Sequence, residues 1–299
     1  MNTDYFTQLN SIRINKDDRI SEADRRFCEA QQKACEEAKL SLMEMREQWS
    51  DVTRRQKEIL EPVGSNNQLG YVRISHISEK DFTDKIEEIP KAFIKCLVEY
   101  FNNKYHTSLQ SYLVKEALLP KEPARSYYDY KQEEDEEYHR RLQQLALHYN
   151  DVIDQLYVQL NGRSFTERAI DEIKEKCHQA AWSAYGNKPQ YEVKNATISF
   201  TFYACNYESW LHNDRWSLQD EMRKVLRGVA CFETGTPGQY PNSISFLLGY
   251  EDKHEPIISL SDCKTVVQLR MFKNHRTDVK FASPEFANQF ADEYLGRVY

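Results

Sequence analysis

The chain has 299 residues, 40% of them hydrophobic, with 14 Phe and 19 Tyr, and a formal net charge of -7. Length and apolar content suffice for one large domain or two modest ones with a real core, which excludes a disordered chain. The acidic balance excludes a protein that coats nucleic acid non-specifically, while leaving room for a local basic face.

No run approaches the ~20 apolar residues that span a bilayer. Met1 to Asn15 mixes Asp4, Gln8 and Arg13 without the apolar core of a signal peptide. The expectation is a cytoplasmic protein with no membrane partner. Seven cysteines, at 28, 35, 96, 177, 205, 231 and 263, are scattered and form no CxxC pair. They read as buried thiols of a reducing compartment, which leaves the Asn195-Ala196-Thr197 sequon unused.

In chain order, residues 1–20 form an arm. Ser21-Glu22-Ala23-Asp24 then has the spacing of a capping box. Phe27, Ala30, Ala34, Ala38, Leu42, Met45, Trp49, Val52 and Ile59 recur at steps of three and four, with Gln56 as the polar member, until Pro62 and Gly64. This predicts one long helix of about 60 Å. Its small Ala30, Ala34 and Ala38 and its bulky Met45 and Trp49 make a candidate seam, either for later helices of the chain or for a partner. After the Gly64–Gly70 linker, Tyr71–Ile77 reads as a short strand. Ser78-Glu79-Lys80-Asp81 caps a core helix carrying Phe93, Ile94, Leu97, Val98, Phe101 and Tyr105, which Pro90 starts or kinks. An extended polar-aromatic loop, Leu119–Tyr130, leads to a predicted helix over Lys131–Leu160, a mate for the first, closed by Asn161-Gly162. Ser164-Phe165-Thr166-Glu167 caps another, ending near Gly186.

Beyond about residue 190 the apolar period changes from 3.6 to 2, as Ile198, Phe200, Phe202 and Ala204 alternate with polar neighbours. Ser217 and Asp220 cap a helix with Met222, Val225, Leu226 and Val229, followed by an irregular Gly235–Pro241 loop. Val267, Leu269 and Met271, a turn at Asn274-His275, and Val279 with Phe281 predict a hairpin. Ser283-Pro284-Glu285 starts a last helix through Phe286, Phe290 and Tyr294 to Gly296. The fold class is α+β: a long-helix part over 21–186, an antiparallel helical hairpin or bundle, then a small antiparallel sheet with flanking helices over 187–299.

Met271-Phe272-Lys273-Asn274, Asp278-Val279-Lys280-Phe281, Phe290 and Tyr294-Leu295-Gly296 resemble the closing segment of a bacterial domain-of-unknown-function family. Members of that family occur in phages, prophages and conjugative elements, sometimes beside DNA methyltransferases. The match covers about the last thirty residues, and the family's turn favours Gly where this chain has His275. The resemblance implies a mobile-element setting, where small proteins bind DNA or block host defence complexes, and it brings no catalytic residues.

Other chemistries have weaker signatures. Cys177, His178, Cys205 and His212 are the nearest approach to a zinc set, yet adjacent helix residues point apart. Asp278-Val279-Lys280, with Asp262, spells part of a metal-dependent nuclease, though strand alternation explains the same letters. Gly-x-Ser-x-Gly and the P-loop are absent. The acidic run Glu133–Glu137 suits a helix start. Arg270, Lys273, His275, Arg276 and Lys280 gather charge near Phe272 and are the candidate nucleic-acid contacts, although edge strands carry such residues to prevent aggregation.

The expectation is a non-enzymatic interaction protein of a phage or mobile element, needing no cofactor. Its helical part would oligomerise or grip a protein partner, such as a host antiphage defence complex. A nucleic-acid-binding accessory module is the alternative, and a metal-dependent nuclease the third.

Overall fold

The computed structural model describes residues 19–63, 77–123, 132–183, 188–210 and 213–296. The expected N-terminal arm, save its last two residues, lies outside them, as does the strand expected at Tyr71–Ile77, save Ile77. Among the described residues the architecture is mixed α+β, with nine α-helices, a five-stranded antiparallel sheet and a separate two-stranded hairpin. The chain divides into two compact units: residues up to Glu99 with Gln110–Leu156, and Tyr100–Leu109 with Tyr157 onward.

The first unit is helical. Helix α1 (Glu22–Leu60) starts where Ser21 Oγ accepts the Asp24 amide at 3.2 Å and Asp24 accepts the Ser21 amide at 3.1 Å, the expected capping box. Helix α2 (Glu79–Tyr105) starts in the same way, with the Ser78 hydroxyl and Asp81, and keeps Pro90 inside it. Trp49 lies against Phe82 at 6.4 Å between ring centroids, and Gln31 meets Cys96. As the numbers rise along α1 they fall along α2, so the pair is antiparallel. Helix α3 (Ser111–Leu118) buries Val114.

The mate expected over Lys131–Leu160 is two helices, α4 (Gln132–Gln144) and α5 (Tyr149–Leu160), separated at 145–148. The break has a physical cause. Lys39 Nζ donates to the Leu145 carbonyl at 2.8 Å, and Gln32 Oε1 accepts the Tyr149 amide at 2.9 Å. Side chains of α1 therefore replace intrahelical partners, and Asp151 caps the restart through the His148 amide. Arg46 bonds Gln143 and Lys39 reaches Leu145, so α1 runs against this pair as well, and Arg19 just before it pairs with Asp154.

The second unit sets helices on one face of the sheet. Helix α6 (Phe165–Ala181) starts with the Ser164–Glu167 capping box, and those hydrogen bonds hold the Glu167 carboxyl below its ordinary pKa. Sequence periodicity placed α6 with the helical part ending at 186. Its buried face instead joins the core of the sheet, through Cys177, Ala180 and Ala181. Strands β1 (Tyr191–Lys194) and β2 (Thr197–Phe200) are followed by the hairpin β3 (Cys205–Trp210) and β4 (Asn213–Leu218). Then come α7 (Asp220–Thr234), α8 (Asn242–Leu248), β5 (Ile257–Ser259), β6 (Val266–Met271), β7 (Thr277–Phe281) and α9 (Pro284–Phe290), the last running into a π-turn over Ala291–Leu295.

The sheet order is β1-β2-β7-β6-β5. Ile198 faces Val279, which faces Leu269, and this row with Phe200, Met271 and Phe281 is buried beneath the helices. One residue along, Glu192, Ser199, Asp278, Arg270 and Ile257 form a row on the other face. The predicted hairpin and closing helix are present. His275 adopts the left-handed conformation, at φ 68°, that favours Gly. Gly296, at φ 66°, ends the π-turn, whose Leu295 carbonyl accepts Trp182 Nε1 at 2.6 Å.

Helices α6 and α7 meet at Gly228, where a Cβ would sit 2.2 Å from Cys177 Sγ and 3.2 Å from the Tyr294 ring. Phe232, one turn on, meets Phe281, Phe286, Phe290 and Tyr294 edge-on at 5.6 to 6.4 Å. Gly228→Ala is therefore expected to cost about 1–3 kcal/mol in denaturant unfolding. Combining it with Cys177→Ala, which removes the clashing sulfur, should recover part of that loss.

Candidate functional site

The helical unit carries a groove of about 390 Å³ bordered by α1, α2 and the break at 145–148. Its walls are apolar: Leu40 and Met43 from α1, Ile89, Pro90 and Phe93 from α2, and Leu145, Ala146 and Leu147 from the break. Leu40 is 62% exposed and Met43 38%, while Phe93 is buried. Pro90 lies inside α2, where its ring lines the groove and its missing amide hydrogen leaves the carbonyl four residues earlier without an intrahelical donor.

The polar groups at the rim are committed to holding the groove's shape. Gln32 accepts the Tyr149 amide, donates to Glu36 at 2.8 Å and meets His148 Nδ1 at 3.1 Å. Lys39 reaches Leu145, and its partial burial lowers its pKa. Cys35 also lines the groove, with its thiol pKa raised by burial and by the neighbouring Cys96 and Glu36. Such a site offers shape and apolar area.

The seam residues read from the sequence fall into two groups. Trp49 is half-buried against Phe82, whereas Met45 is 54% exposed and Ala30, Ala34 and Ala38 are exposed. The packed face of α1 runs instead through Asp24, Cys28, Cys35, Lys39, Leu42, Arg46 and Trp49. At about 100° per residue, Ala38 and Leu40 stand about 200° apart around the helix. The helix thus carries apolar residues on both sides of its packed face. Sequence reasoning missed Leu40 and Met43, although their spacing of three on an otherwise charged side was a legible signal.

In the second unit the hairpin brings together most of the expected cations, but with partners. Phe272 lies between two guanidinium groups, Arg270 at 4.6 Å and Arg276 at 4.1 Å. Arg276 also pairs with Asp278 at 3.2 Å. Lys273 donates to the Tyr207 hydroxyl at 2.9 Å, with its pKa raised chiefly by that bond. His275 contacts the Cys205 carbonyl at 3.0 Å and packs on Tyr203 at 4.1 Å, and Tyr203 is itself 53% exposed. Lys280 is exposed on the sheet's polar face.

The nuclease letters are placed apart in function: Asp278 serves Arg276, and Asp262 accepts the Ser243 amide and hydroxyl. Cys177 is buried between α6 and α7 with a thiol pKa of about 12, His178 contacts the Leu295 carbonyl, and Cys205 lies beside the Phe272 and Arg276 carbonyls. His212 lies outside the described residues. Among the described residues no group of three His, Cys, Asp or Glu stands close enough to hold a metal ion.

The raised thiol pKa of Cys35 sets a test of the groove. Only the thiolate alkylates, so at pH 8 iodoacetamide should modify Cys35 more slowly than a free cysteine, at a rate that rises with pH. Cys177 should stay unmodified until the chain unfolds, as peptide mass spectrometry would record. Comparisons of the chain with family models, curated proteins and solved structures found no match.

Proposed function

We propose that this chain is a non-enzymatic interaction protein that works by assembly through α1, with the groove beside Leu40 and Met43 receiving the same two side chains of a second copy. The observation that carries this reading is the placement of exposed apolar knobs on α1 beside an apolar groove bordered by α1, α2 and the break. A two-fold interface requires a patch complementary to itself, and knobs next to a hole meet that condition. The exposed Ala30, Ala34 and Ala38 side lets a further helix approach closely. The resemblance of the closing segment to a mobile-element family makes a host defence complex the target that such an assembly would bind and block.

Leu40→Glu with Met43→Glu tests the reading. Both positions are exposed, so folding should change by no more than about 0.5 kcal/mol, while self-association measured by sedimentation weakens at least about tenfold. A wild-type chain that stays monomeric to millimolar concentration would rule the assembly out.

The second reading is nucleic-acid binding through the closing hairpin, favoured by the exposed Tyr203 ring and by Phe272 between Arg270 and Arg276. It predicts salt-sensitive heparin retention that falls when Arg270, Lys273, Arg276 and Lys280 are neutralised together. Retention unchanged in that variant would remove it.

A further inference from the structure

A second cluster, in the sheet-bearing unit, holds two buried cations with unmet hydrogen-bonding capacity. Lys253 is 3% exposed and Arg223 6%. Lys253 Nζ and Arg223 Nε are both buried without a hydrogen-bond partner among the described residues. A lysine ammonium has three donors and no acceptor, and burying one unpaired is costly enough that such groups are rare without a partner.

Both residues are held firmly. Lys253 exchanges two backbone hydrogen bonds with Trp216, at 2.7 and 2.8 Å, and Arg223 sits in the second turn of α7. Arg223 is near enough to oppose the charge on Lys253, whose pKa burial lowers first of all. Each cation lies beneath an aromatic ring: Lys253 Nζ is 3.9 Å from the Phe246 centroid and the Arg223 guanidinium 4.1 Å from that of Tyr250. A ring face attracts a cation but accepts no strong hydrogen bond.

The rings form an outer cover. Phe246 is 51% exposed and Tyr250 74%, so neither is held by the core. Nearby carboxylates are placed toward solvent or spoken for: Asp220, with a side chain 74% exposed, reaches Arg223 Nη1 at 3.0 Å, and Asp252 pairs with Arg215 at 3.6 Å. Glu251 and Asp252 favour the charge on Lys253 without bonding Nζ.

We propose that Lys253 and Arg223 form a binding site for a phosphate group, closed in this structure by the Phe246 and Tyr250 rings, which turn outward when the oxyanion enters. The chemistry selects phosphate because an ammonium and a guanidinium together supply a point charge and a planar fork of donors to one multivalent acceptor. The free faces of the two rings would then border the ligand, which favours a phosphate carried on an aromatic ester.

Thermal unfolding at matched ionic strength, with sodium phosphate against sodium chloride, tests this. Tm should rise with the logarithm of phosphate concentration for the wild type and remain flat for Lys253→Met, which fills the same apolar space. Phe246→Ala removes an exposed ring, and its phosphorus-31 line broadening by inorganic phosphate should exceed that of the wild type. A larger Tm rise with phenyl phosphate than with inorganic phosphate assigns the ester, and equal rises assign the free ion. Equal responses of wild type and Lys253→Met, or no response to either ligand in the wild type and in Phe246→Ala, would overturn the site.

Discussion

The sheet-bearing unit depends on one close approach. At Gly228 the absence of a side chain lets α7 lie directly on Cys177 of α6, and the helical layer that results is thin enough for Phe232 to reach Phe281, Phe290 and Tyr294. Aromatic edges and faces then knit helix, strand and closing turn into one core. Tyr294 takes part fully: its hydroxyl is buried, its pKa is raised by that burial and by the bond to Cys231, and its ring stacks on Phe290 at 5.0 Å. Everything the second unit displays, from the hairpin cations to the covered Lys253, is positioned by strands and helices resting on this layer.

The helical unit uses a different principle. Its long helix is too polar to be held by apolar burial alone, since only Asp24 and Cys28 are fully buried on it. Its Lys39, Gln32 and Arg46, with Arg19 just before the helix, instead bond to the chain at and beside the break between α4 and α5. The bonds from Lys39 and Gln32 satisfy the Leu145 carbonyl and the Tyr149 amide at the break. The same substitution that splits the expected helix leaves Leu145, Ala146 and Leu147 as a wall, so the groove is a direct result of how the break is satisfied.

The candidate sites were partly legible. Charge density marked Arg270, Lys273, Arg276 and Lys280, but the letters do not record that two of them, Arg270 and Arg276, contact Phe272 or that Asp278 is paired with Arg276. Ala30, Ala34 and Ala38 looked like the packed edge of α1 because small apolar residues at helical spacing satisfy the pattern; the structure leaves them exposed, and polar Lys39 and Arg46 face inward. Lys253 and Arg223 carried no signal at all, since burial of a lysine beneath Phe246 depends on the path of the Gly249–Pro256 segment.

By itself the sequence determined the class of the fold, the capping boxes at Ser21, Ser78 and Ser164, the closing hairpin with its turn at Asn274-His275, and the last helix ending at Gly296. These are local matters, decided by hydrogen bonds and side-chain period within a few residues. Tertiary structure decided the rest: the break at 145–148, the allegiance of α6 to the sheet, the side of α1 that is packed, and the burial of two cations. Each turns on a partner distant in the chain, and no local pattern records which distant group will satisfy a backbone carbonyl or cover a charge.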